Sequence, residues 1–167
     1  MPTYVFDTDA ASDILFGDPD AVRLMKRFQN DTNSRIFVSE ITRIEIMSIS
    51  NISESVMQAI VDLFDMFDGV LTVDEQIAIS AANLRRLSNS ERTICDVCGK
   101  RSGGKLKTPD AIIAATAVSE EAILITRNTA DYQRLVDQGI LEAMSPAIML
   151  SELEKHKKGA GVSEKRD

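Results

Sequence analysis

The sequence predicts a single α/β domain with a mostly parallel β-sheet and helices on both of its faces. Three observations carry that reading. Short β-like apolar runs alternate with longer helical ones, as in successive strand–helix units. The length, 167 residues, suits one domain and hardly two. A hydrophobic fraction of 44% is enough to bury a core.

Thr3–Phe6 reads as the first strand. Ala10–Phe16 and Asp20–Asn30 read as helices, separated by Gly17-Asp18-Pro19. Arg35–Val38 is a short second strand, and Ser39 suits the N-cap of a helix running to about Ser50. Ser53–Asp68 is amphipathic, with Val56, Ile60, Phe64 and Phe67 on one face and Gly69 as its C-cap. Val70–Val73 is a third strand and Asp74–Leu87 a helix. Ser88–Lys107 lacks periodicity and reads as a long loop insertion of the functional or mobile kind. Thr108, as N-cap, and Pro109 restart a helix, Asp110–Val118, which is apolar nearly all round and therefore central. Ala122–Ile125 is the next strand. Thr129–Gln138 is a helix ended by Gly139, Ile140–Ala143 a last strand, and Pro146–His156 a terminal helix. The domain thus spans residues 1–156, and the polar segment 157–167 is expected to be a disordered tail.

Charge narrows the function. The net charge of -7 argues against a generic nucleic-acid coat, which needs Lys and Arg for phosphates. It leaves room for a nuclease whose carboxylates become a positive site once they hold divalent cations. The only histidine, His156, lies in a Lys-rich stretch near the end, so a histidine general base is poorly supported. No apolar run reaches the roughly 18 residues of a membrane span. No signal peptide is visible, so a cytoplasmic location is expected. The two cysteines, Cys95 and Cys98, do not make a disulfide framework.

The acids carry the chemistry. Ligand sites in open α/β sheets lie beyond the carboxyl ends of the strands. Asp7 directly follows the first strand and Asp9 is close by; either could instead cap the following helix. Glu45 falls on the helix face marked by Ile41, Ile44, Ser48 and Ile52, which the spacing turns inward. A carboxylate there must be paired, protonated or bound to a cation. Asp110 occupies the first turn of the apolar helix, a place that also suits an acid for stability alone. Thr126 ends a strand, and Asn128 and Asp131 open the next helix, where capping is the plainer role. Together, Asp7, Glu45, Asp110 and Asp131 fall at one edge of the sheet. Two unit charges about 5 Å apart repel by roughly 3 kcal/mol at an effective dielectric near 20. Such a cluster needs protons or cations, and hard oxygen donors favour Mg2+ or Mn2+. Such ions can activate water for phosphodiester hydrolysis without a side-chain nucleophile.

These acids stand in contexts that resemble the PIN-domain family. The segments are Tyr4-Val5-Phe6-Asp7-Thr8-Asp9, the run Val38–Ile46 with Glu45, the run Pro109–Ala117 with Asp110, and the run Leu124–Tyr132 with Thr126, Asn128 and Asp131. They recur in order and cover roughly Thr3 to Leu150. The resemblance implies a three-layer α/β/α sandwich and Mg2+- or Mn2+-dependent endonucleolytic cleavage of single-stranded RNA. It implies metal-ligand roles for Asp7 and Asp110, with Glu45 and Asp131 completing the catalytic site directly or through water. Asp9, Thr126 and Asn128 would orient that site. Many relatives are VapC-type toxins of toxin–antitoxin pairs, often homodimeric, so a protein antitoxin and a second copy are expected partners beside RNA.

Two departures stand out. Asp9 occupies a position where relatives often have Asn. The loop insertion carries Cys95-Asp96-Val97-Cys98, which offers only two ligands to a zinc ion and otherwise two free thiols. Lys100, Arg101, Lys105 and Lys107 in that loop, and Arg127 beside the acids, are candidates for RNA phosphate contacts. Two other readings compete. One is a haloacid-dehalogenase-like phosphatase with Asp7 as nucleophile and Asp9 as acid/base. The other is a non-catalytic binding module that keeps the fold.

Overall fold

The structure is a computed structural model that describes residues 1–89 and 106–160. In chain order the elements are β1 (Thr3–Phe6), α1 (Thr8–Leu15), α2 (Pro19–Gln29), β2 (Arg35–Ser39), α3 (Glu40–Met47), α4 (Glu54–Phe64) and β3 (Gly69–Leu71). They continue with α5 (Glu75–Asn89), α6 (Thr108–Ser119), β4 (Ile123–Ile125), α7 (Thr129–Asp137), β5 (Glu142–Met144) and α8 (Pro146–Ala160). The five strands form one sheet in the order β3-β2-β1-β4-β5, and every pairing is parallel.

Alternation along the central strand divides the core into two layers. Tyr4 and Phe6 pack on one face against Ala10 and Ile14 of α1, Leu24 and Phe28 of α2, Ile60 of α4 and Leu150 of α8. Val5 points to the other face and meets Ile77 of α5, Ile113 of α6 and Leu135 of α7. Helices therefore cover both sides of the sheet, giving an α/β/α sandwich. Side chains such as Leu24, Ile60 and Ile113 are fully buried, each contributing roughly 1.5–3 kcal/mol. α6 has apolar side chains nearly all round and is correspondingly central: Ala111, Ile113, Ala114, Ala115 and Ala117 are all buried.

Register places the site. Phe6 lies level with Val38 and Ile125, so β1, β2 and β4 end within one residue of one another. Asp7, Ser39 and Thr126, each the next residue in its segment, therefore share one edge. The chain leaves β1 toward β2 and returns on its other flank as β4. The gap between β1 and β4 is thus the point where strand order reverses, the usual ligand crevice of such sheets.

Several local expectations need correction. α3 buries Thr42 and Ile46; of the expected face Ile41 packs partly against the core, whereas Ile44 is 54% exposed. The apolar spacing misled because polar residues occupy the buried stripe: Ser39 lies 3.4 Å from Thr116 and Thr42 lies 3.5 Å from Thr8, hydroxyl to hydroxyl. α3 also stops at Met47, with Ser48 as its C-cap. α4 ends at Phe64 with Asp65 as C-cap, and Gly69 opens β3 instead of capping the helix. Lys107, not Thr108, is the N-cap of α6, because its carbonyl accepts the first helical bond, from Ala111 N at 2.9 Å. α5 runs to Asn89, into the expected loop, and α8 runs to Ala160, into the expected tail. Gly17 and Gly139 adopt positive φ, +81° and +67°, at the breaks expected of them.

Candidate active site

Asp7 is the centre of the site. It is both the N-cap of α1 and the first residue beyond β1. Its Oδ1 accepts a hydrogen bond from Thr8 N at 2.7 Å, and its Oδ2 accepts from Thr126 Oγ1 and from the Tyr132 hydroxyl, each at 2.9 Å. It is 6% exposed. Burial, and then the charge of Asp9, push its carboxyl from the usual 3.8 up to about 6, against the pull of those three donors.

Around it lies an open cleft of about 440 Å3, lined among others by Asp9, Glu45, Lys107, Asp110, Arg127 and Asp131. Glu45 reaches the cleft from the flank of the buried Thr42–Ile46 stripe and accepts from Thr8 Oγ1 at 2.5 Å. Asp110 enters from the first turn of α6. Its Oδ2 is buried and has no hydrogen-bond partner. Burial raises its carboxyl above the usual range, opposed by Lys107 and reinforced by Asp131 and Glu45. On the opposite wall, Asn128 is the N-cap of α7 and its side-chain amide donates to Asp131.

Asp9 plays a different part. It accepts from Arg127 N at 3.1 Å and Asn128 N at 3.0 Å, so it ties the β4–α7 turn to α1. Each amide meets its own carboxylate oxygen there, whereas an Asn would bring one acceptor oxygen and an amide that is itself a donor. Arg127 points along the rim and pairs with Asp13 at 2.7 Å.

All four carboxylates expected at the site, and Asp9, Thr126, Asn128, Arg127 and Lys107, therefore come together at one end of the sheet. Lys100, Arg101, Lys105, Cys95 and Cys98 lie outside the described residues. Among the described residues, no three His, Cys, Asp or Glu side chains stand close enough to form a ready-made metal cage. Mg2+ rarely uses such a cage; it takes one or two carboxylates and keeps waters and substrate phosphates as its other ligands. The hard oxygen donors and the orphaned Asp110 Oδ2 fit that mode.

The PIN domain signature matches residues 4–138. The chain belongs to the PIN domain family. Solved structures with this PIN fold include VapBC-1 from nontypeable Haemophilus influenzae, with 25% identity, a TM-score of 0.61 and coverage of 87% of this chain and 98% of that one. DNA-bound VapBC from Salmonella typhimurium has 21% identity and a TM-score of 0.65 over 87% of this chain and 99% of that one. VapBC-5 from Mycobacterium tuberculosis, of the VapBC family of toxin–antitoxin systems, has 18% identity and a TM-score of 0.55 over 87% and 99%. No curated protein matches the chain. Membership of this family replaces the dehalogenase-like reading. Asp9 is also committed to backbone amides and is not free to act as that chemistry's acid/base.

Sequence reasoning missed Tyr132 and Thr8. Both stand inside the PIN-like segments, but a tyrosine on the apolar face of α7 reads as core, and a threonine after a strand reads as a cap.

Proposed function

We propose that this PIN-domain protein is a Mg2+- or Mn2+-dependent endoribonuclease that cleaves single-stranded RNA, and the toxin of a toxin–antitoxin pair. The observation that supports it most is the buried, unpartnered Oδ2 of Asp110, a residue that lines the cleft together with Asp7, Glu45 and Asp131. An anionic oxygen buried without a donor is costly unless a cation meets it. Asp7 and Asp110 would hold the ion, with Glu45 and Asp131 beside it. When bound, it supplies an activated water and charge stabilisation at the phosphate. The residues then do the rest. Thr8 fixes Glu45, Thr126 and Tyr132 fix Asp7, and Asn128 fixes Asp131. Lys107 and Arg127 are the cationic side chains on the cleft wall and suit RNA phosphates.

A protein antitoxin is the natural inhibitor of such a site. A basic side chain from it would neutralise the acids. The exposed apolar Ile44 and Met47 of α3 and Val61 of α4 suit a protein partner, whether an antitoxin or a second copy of the chain. No helix among the described residues is long and apolar enough to cross a membrane.

The test is cleavage of a mixed cellular RNA pool with added Mn2+, comparing wild type with Asp7→Asn purified identically. Cleavage that is lost both with chelator and in the variant supports the proposal. Equal cleavage by both proteins points to a contaminant and counts against it. Mn2+ binding without turnover on any RNA favours the binding-module reading.

A further inference from the structure

The Tyr132 hydroxyl has a job that packing does not explain. The ring is 1% exposed and belongs to the core layer with Leu135 and Ile113. A phenylalanine ring would fill that space. The hydroxyl, however, is a polar group deep in the protein, where it must find a partner. Its partner is Asp7 Oδ2, 2.9 Å away, across 125 residues of sequence. Bonds of this kind, hydroxyl to carboxylate, are stronger than neutral ones.

The other donor to that oxygen is divided. Thr126 carries one hydroxyl hydrogen, and three carboxylate oxygens lie within its reach: Asp7 Oδ2 at 2.9 Å, and Asp9 Oδ1 and Oδ2 at 3.3 and 3.4 Å. It can serve only one at a time. The Tyr132 hydroxyl is committed to Asp7. Outer partners of this kind orient metal-binding carboxylates and tune their affinity.

We infer that Tyr132 is a positioning residue whose buried hydroxyl holds the Asp7 carboxylate in one fixed orientation toward a divalent cation in the cleft. The inference rests on the metal-dependent reading above. It adds a function to a residue that otherwise looks like core.

The experiment is Mn2+ titration calorimetry on the full chain, wild type against Tyr132→Phe, with urea unfolding of both in chelator. The expected result is Mn2+ affinity weakened about tenfold or more in the variant. A merely structural hydroxyl would lower the urea midpoint and leave Mn2+ affinity at the wild-type value, which overturns the inference. Absence of Mn2+ binding by the wild type overturns the metal reading and the inference with it. Equal binding by the two proteins overturns the inference alone. A second measurement needs no substitution at the site and decides the matter if the variant does not fold. The chain has two tyrosines, so fluorotyrosine labelling gives two fluorine NMR lines, assigned with Tyr4→Phe. The Tyr132 line is expected to move on adding Mg2+ while the Tyr4 line stays. A Tyr132 line that ignores Mg2+ overturns the inference.

Discussion

Both ends of the sheet carry an acidic hollow, and the larger one lies at the end without the site. At the amino ends of the strands, a hollow of about 780 Å3 is lined by Asp31, Asp65 and Asp68. Two of those acids have a structural occupation. Asp68 Oδ2 accepts from Ile36 N at 2.7 Å and secures the entry to β2. Asp31 accepts from Asn33 N at 3.1 Å and from Ser34 Oγ at 2.7 Å. At the carboxyl ends, the cleft is smaller, about 440 Å3, but Asp110 keeps a buried oxygen without a donor and Asp7 is pushed up to about 6. Size does not mark the site; the richer set of carboxylates and their leftover, desolvated negative charge do.

That contrast can be broken most directly by substitution at both ends. Asp110→Asn or Asp7→Asn is expected to reduce RNA cleavage by about 100-fold or more, the upper range seen even for outer partners of metal sites. Asp68→Ala is expected to leave the cleavage rate unchanged and to cost about 1–3 kcal/mol in urea unfolding by stranding the Ile36 amide. Cleavage lost equally in both variants would erase the distinction.

A second expectation concerns pH. The native state binds the Asp7 proton more tightly than the unfolded chain does, so stability in chelator falls as pH rises from about 4 through about 6. At about 1.4 kcal/mol per pH unit, the rise from 3.8 to about 6 corresponds to roughly 3 kcal/mol at neutral pH. The stability difference between wild type and Asp7→Asn in chelator should therefore shift in favour of wild type by about that amount as pH falls from neutral to about 4. Urea unfolding across that range checks it, and a gap of constant size would contradict it.

Smaller effects sharpen the picture. Asp9→Asn removes one of the acceptors for Arg127 N and Asn128 N and should cost about 1 kcal/mol of stability. Its effect on Mn2+ affinity should be far smaller than that of Asp7→Asn. Lys107→Ala and Arg127→Ala should each weaken RNA binding and lower its salt slope by about 0.7, as expected for one lost phosphate contact on a single strand. Binding measured at several salt concentrations reads this, and unchanged slopes would remove both residues from the interface.

Much of this site is legible because strand ends and helix starts announce themselves. Asp7 follows an apolar run, Asp110 follows a Thr-Pro start, and Asn128 and Asp131 open a helix after a strand. Their convergence follows from parallel pairing, which brings Phe6 level with Ile125. Glu45 does reach the cleft, but not for the reason its apolar spacing offers, since the buried stripe of α3 is marked by Thr42 and Ile46. Hydrogen-bonded hydroxyls in a core leave no apolar trace. The strand order and the reach of Tyr132 to Asp7 are not legible, because both depend on pairings between distant segments.

Those distant pairings also set a timetable. Thr126 and Tyr132 lie 119 and 125 residues after Asp7. At roughly 5–20 residues per second, the donors that hold Asp7 leave the ribosome about 6–25 seconds after it. Until β4 arrives, β1 also lacks one of its two neighbours. A nascent chain therefore carries its first acid long before it carries a site. Any product cut short before Thr126 ends with that acid and without the wall of the cleft.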